Sequence, residues 1–196
     1  MTYSEFFQEI DGGAIRSTYF FHGVEDYVRT AALDRLRKAL LPPGMEALNE
    51  VVLEGGSAQA ALEAAEQLPM FCPKRLTVAV DFPPLLPRKA RDEEGEVDRV
   101  LNWLQNPPDT ACLVFMLRGE GDSRKRLYKK LNDMCGVEFP LLSEPEAARW
   151  AVRRAKALGC RMDQKTGEKL VFMAGRALTG LNGEIEKLAA YAMDRG

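Results

Sequence analysis

Thr18-Tyr19-Phe20-Phe21-His22-Gly23-Val24-Glu25-Asp26-Tyr27-Val28-Arg29-Thr30 is the stretch that decides the fold. Its first five residues are aromatic or β-branched and stop at a glycine, which predicts a buried strand over 18–22. From 25 to about 40, Val28, Ala32, Leu33, Leu36, Ala39 and Leu40 recur at helical spacing, and Pro42-Pro43-Gly44 ends the pattern. A buried strand turning at glycine into a helix is where a nucleotide-binding α/β domain would place its phosphate loop.

The alternation continues downstream. Strands are predicted over 48–53, 75–80, 111–117 and 137–139, and the run Ala111-Cys112-Leu113-Val114-Phe115-Met116-Leu117 is apolar enough to lie centrally. Between them come an alanine-rich helix capped by Ser57, a helix over 96–105, and a basic helix capped by Ser123 and running to about 134. Pro83, Pro84 and Pro87 precede a charged loop over 88–94. Strands separated by helices imply a mainly parallel five-stranded sheet flanked by helices. From residue 143 the strands cease. Ser143 and Glu146 form a capping-box pattern, and three helices follow over about 144–158, 163–174 and 182–193. The expected organisation is an α/β domain over 1–142 and a small three-helix domain over 143–196.

A phosphate loop in such a domain lies at the first strand-to-helix turn. Against G-x-x-x-x-G-K-[ST], this turn keeps Gly23 and Thr30 but has Val28 for the second glycine and Arg29 for the lysine. Val28 brings a branched side chain where backbone N–H groups would close on phosphate. Glu25 and Asp26 add negative charge, and their alternative role is to favour a helix N-terminus. Asp81 follows the third strand without a second carboxylate beside it. The site is therefore expected to be inactive, with no nucleotide cofactor.

The net charge of -2 gives no global field for nucleic acid, so a DNA contact would need a local patch. Arg124, Lys125 and Lys129 on the basic helix offer one for a DNA backbone, although a solvated face is the simpler reading of them. Cys72, Cys112, Cys135 and Cys160 stand far apart and His22 is the lone histidine, a pattern that predicts no metal site. His22 reads as a strand-end histidine. No run reaches the roughly 18 apolar residues of a membrane span, and the acidic start lacks signal-peptide character, so a cytoplasmic protein is expected.

Glu66-Gln67-Leu68-Pro69-Met70-Phe71-Cys72-Pro73 carries the binding information. Pro69 ends the preceding helix and Pro73 stiffens the approach to the next strand. Large apolar residues in such a loop have two explanations. Met70 and Phe71 fold back over the end of the sheet, or they project as a preorganised wedge into an apolar pocket of a partner, with the Gln67 amide bonding nearby backbone.

Three segments carry a resemblance to a known family. The opening strand and turn over 19–27, the stretch 67–76, and Gly183-Glu184-Ile185-Glu186-Lys187-Leu188-Ala189-Ala190-Tyr191 resemble the first two domains of the delta subunit of bacterial DNA polymerase III, the subunit that opens the sliding clamp. The resemblance implies an AAA+-like fold without ATPase activity, in which Gln67, Leu68, Met70 and Phe71 bind the clamp (beta subunit). Met70 replaces the leucine common at its position by a residue of similar volume. Primed DNA would be an indirect or weak partner. The family's third, helical collar domain assembles the loader with its other subunits. The resemblance covers only the first two domains, so the expectation is a chain that engages the clamp but joins the loader poorly. Delta-prime subunits and a diverged P-loop kinase are the rivals. Neither a zinc cluster nor an intact phosphate loop favours them.

Overall fold

The computed structural model describes residues 1–87 and 93–193. Of the charged loop expected over 88–94, residues 88–92 lie outside them, and Glu93 and Glu94 instead open a helix that was expected to start at 96. The chain divides into two compact units, one of Met1–Val24 with Arg29–Phe139 and one of Glu25–Val28 with Pro140–Gly196.

The first unit holds a five-stranded, all-parallel sheet of β1 (Thr18–His22), β2 (Glu50–Glu54), β3 (Arg75–Val80), β4 (Ala111–Met116) and β5 (Gly136–Glu138), in the order β2-β3-β4-β1-β5. This is the AAA+-like arrangement expected. The interior strands β4 and β1 are buried on both faces, which is why their apolar residues do not alternate with polar ones. Phe20 enters the core formed with α4 (Ala58–Glu66), α5 (Glu93–Trp103) and α6 (Arg126–Cys135). Tyr19 and Phe21 point to the opposite face, where both rings pack edge-on against Phe6 of α1 (Tyr3–Asp11). The helix α2 (Asp26–Leu40) follows the first turn and buries Ala32, Leu33, Leu36 and Leu40. Burial pushes the thiols of Cys112 and Cys135 up to about 12, leaving both protonated.

Several elements differ from the sequence expectation. α1 had no counterpart in it, although Thr2 and Glu5 form a capping box at its start. Leu48 is not in a strand: a short helix, α3 (Glu46–Asn49), occupies that position and β2 begins only at Glu50. Ser123 is not the cap of α6, which has Lys125 at its N-cap position with no side-chain capping bond to the helix N–H groups. The turn before it is held by Asp122, whose carboxylate accepts the Arg124 N–H. Ser57 does cap α4, accepting from Ala60 N–H at 3.2 Å.

The second unit is built on α7 (Glu144–Ala157), α8 (Gln164–Ala174) and α9 (Leu178–Met193). The Glu146 carboxylate accepts from Ser143 N–H at 2.9 Å, and Asp163 accepts from Thr166 N–H at 2.7 Å. Ala147, Ala148, Ala151, Val171, Leu178, Leu181 and Ile185 are buried. α9 starts four residues before the expected position, and its first turn is capped by Glu25, whose carboxylate accepts from Leu178 N–H at 3.2 Å. No helix among the described residues is long and apolar enough to cross a membrane.

Candidate functional site

The segment between α4 and β3 exposes the largest apolar side chains of the first unit. α4 ends at Glu66, and Gln67 at its C-cap takes an extended conformation. Leu68 is then 77% exposed, Met70 48% and Phe71 81%. The backbone beneath them is held firmly. Asn49, the last residue of α3, accepts from Met70 N–H through Oδ1 at 2.6 Å and donates through Nδ2 to the Met70 carbonyl at 2.9 Å. Arg75 donates to the Leu48 carbonyl at 2.7 Å, tying α3 to the start of β3. Lys74 reaches the Asp109 carbonyl at 2.5 Å. Phe71 adopts φ +60, a left-handed conformation that costs a non-glycine residue about 1–2 kcal/mol.

Of the two explanations for this loop, folding back over the sheet does not describe Phe71 or Leu68. The residue bonding the loop backbone is Asn49, not Gln67, which is exposed. Asn49 was missed because it falls where the sequence predicts a strand. Asparagine is depleted in strands and prone to bond nearby backbone, and that was the available signal.

The phosphate-loop position is occupied by structural contacts. Gly23 has φ +116 and packs against the backbone of Phe139. Arg29 is buried; its guanidinium donates to the Gly23 carbonyl at 2.6 Å and to the Arg118 carbonyl at 3.4 Å. Thr30 is exposed and Val28 half-buried. After β3, the Asp81 carboxylate accepts from the Arg118 N–H at 2.9 Å and from its Nε at 3.0 Å. Glu54 also binds Arg118. An acid held this way by a cation is poorly placed to bind a metal–nucleotide complex.

The basic residues around the start of α6 are largely engaged by acids. Arg124 pairs with Asp122 and holds that carboxyl down at about 2; Lys125 pairs with Glu93 at 3.0 Å and Arg126 with Asp98 at 3.1 Å. Lys129 and Lys130 are exposed one turn on.

His22 stacks on Phe20 with ring centroids 4.9 Å apart, and its Nδ1 lies 3.2 Å from the Tyr128 hydroxyl. Burial lowers its pKa, against the opposing effects of Asn132 and Glu138. The unfolded chain therefore takes up this proton first, near pH 6.5. The neutral ring's contribution to stability is present above that pH and is lost as pH falls towards the folded pKa. Urea midpoints at pH 7.5 and 5.5 should drop more in the wild type than in His22→Gln; equal drops would refute this.

The sequence profile of the family described as DNA polymerase III, delta subunit, matches residues 19–139, more than half of the chain. The chain belongs to the DNA polymerase III delta-subunit family. The match takes in both the turn at Gly23 and the Leu68–Phe71 loop. The delta-subunit relative from Bacillus subtilis (strain 168), DNA polymerase III subunit delta, is 25% identical over 188 residues, covering 93% of this chain and 54% of its own. The fold is similar to that of the Bacillus subtilis DNA clamp loader delta protein (YqeN), with a TM-score of 0.74 and 21% identity over 97% of this chain and 57% of that one. The chain thus spans about half the length of the delta proteins it matches.

Proposed function

We propose that this chain is the ring-binding portion of a clamp-loader delta subunit. On this reading it binds the sliding clamp through Leu68, Met70 and Phe71, with Gln67 at the edge of the contact, and helps open the ring for loading onto primed DNA. It does so without hydrolysing ATP. The observation that carries the reading is the exposure of Leu68 and Phe71 on a backbone held by the buried Asn49 side chain. A rigid apolar wedge has little ordering cost on binding and suits a preformed pocket. Family membership supports the choice of a clamp as the partner.

The other loader subunits are proposed partners of the full-length protein, in the cytoplasm. DNA is an indirect or weak partner. If it is touched through the basic helix, Lys129 is better placed than Arg124 or Lys125, whose charges are met by Asp122 and Glu93. The direct test is calorimetric titration of the folded chain with a sliding clamp; absence of binding would overturn the proposal.

The same reading makes the Gly23 turn silent towards nucleotide. Millimolar MgATP should shift the melting temperature by less than about 1 °C, whereas a site filled at about 100 times its Kd would add about 2.7 kcal/mol. A shift of several degrees would revive the P-loop enzyme.

A further inference from the structure

We propose that Asn49 is a positioning residue for the docking loop, a clasp on the Met70 peptide that presents Leu68 and Phe71 in their binding arrangement; this rests on the clamp-binding reading above. Asn49 is wholly buried, and a buried amide is tolerated only when its polar atoms are paired. Its Oδ1 takes the Met70 N–H, while its Nδ2 serves the carbonyls of Met70 at 2.9 Å and Met45 at 3.1 Å. One side chain thus bonds both the N–H and the C=O of Met70, as an adjacent strand would, although Met70 lies outside the sheet.

The loop needs such a device. Leu68 and Phe71 are too exposed for their own side chains to hold it, and the left-handed conformation of Phe71 persists only where the surroundings impose it. Without the clasp the loop relaxes, and binding must then restore its order. Asn49 is itself anchored, since the preceding carbonyl of Leu48 is bound by Arg75 from the start of β3. The grip on the wedge therefore traces back to the sheet.

The test compares the wild-type chain with Asn49→Ala and Asn49→Asp. Exchange of the Met70 amide is followed by NMR, and clamp affinity by calorimetry well below the melting temperature. The wild-type Met70 amide should be protected although it lies in an exposed loop, and Asn49→Ala should lose that protection. Asn49→Ala should bind the clamp about tenfold more weakly, equivalent to about 1.4 kcal/mol. Asn49→Asp keeps the acceptor but sets a carboxylate oxygen against two carbonyls, and should weaken binding as well. A synthetic peptide of residues 66–73, which has no clasp, should bind no better than Asn49→Ala. A merely structural asparagine would lower the melting temperature and leave the affinity of the folded variant unchanged, and that result overturns the proposal. So does an unprotected Met70 amide in the wild type, even if Asn49→Ala fails to fold. A wild-type chain that does not bind the clamp overturns the clamp-binding reading itself, and with it the role of Asn49 in docking.

Discussion

Replacing Leu68 and Phe71 together by alanine is expected to weaken clamp binding about a thousandfold while leaving the fold intact. Truncating a central apolar anchor typically costs about 2 kcal/mol or more. Two such losses, taken as additive, amount to about 4 kcal/mol, or roughly three decades in Kd. Anchors that fill neighbouring pockets are not strictly additive, so the single variants belong in the same titration series. Stability should hardly change, because side chains 77% and 81% exposed remove little apolar area from water in the folded state. Exposed substitutions of this kind fall within about ±0.5 kcal/mol. Undiminished binding by a folded double variant would place the interface elsewhere. The exposed Phe172 and Met173 of α8 would then be the next residues to change.

Gly23→Ala is expected to have the opposite profile, a collapse of stability without any nucleotide effect. A Cβ at this position would lie 2.4 Å from the Phe139 carbonyl oxygen, 2.7 Å from its carbon and 2.8 Å from the Phe139 nitrogen. All three are backbone atoms, so no side-chain rotation relieves the clash. The contact sits where the Phe139 N–H donates to the His22 carbonyl at 2.8 Å, just beyond the pairing of β1 with β5. The φ of +116 adds backbone strain for any residue with a side chain. Together these place the variant in the most destabilised class, about 4 kcal/mol or more, or without a folded state. Urea denaturation monitored by circular dichroism would show it. Val24→Ala, at an exposed neighbour, is the control and should fall within about 0.5 kcal/mol. A Gly23→Ala protein as stable as wild type would mean that the turn is looser than its geometry implies. The glycine shared with a phosphate loop is thus needed here for strand packing.

How much of this could be read in advance differs from element to element. β1 and β4 were legible because a strand buried on both faces has an unbroken apolar signature. The capping residues Ser57 and Ser143 were legible because they bond to groups three residues away. α1 was also written locally, in Thr2, Glu5, Phe6 and Ile10, yet it is short and its apolar face is defined only by the β1 rings against which it packs. At Leu48-Asn49 a strand was expected, and a turn of helix held by tertiary bonds replaced it.

By itself, the sequence determined the α/β alternation, the change to helices after residue 143, the lapse of the phosphate-loop pattern at Val28 and Arg29, and the apolar composition of the Leu68–Phe71 loop. Each depends on residue type and near-neighbour spacing, which local backbone physics reads directly. Tertiary structure alone decided that Leu68 and Phe71 face solvent, that Glu25 caps α9, and that Gly23 is needed for packing against Phe139. In each case the partner is remote in the chain: Asn49 stands 21 residues from Met70, and Glu25 stands 153 from Leu178. A side chain that can bond several backbone groups equally well has its partner chosen by which of them the folded chain brings within about 3 Å.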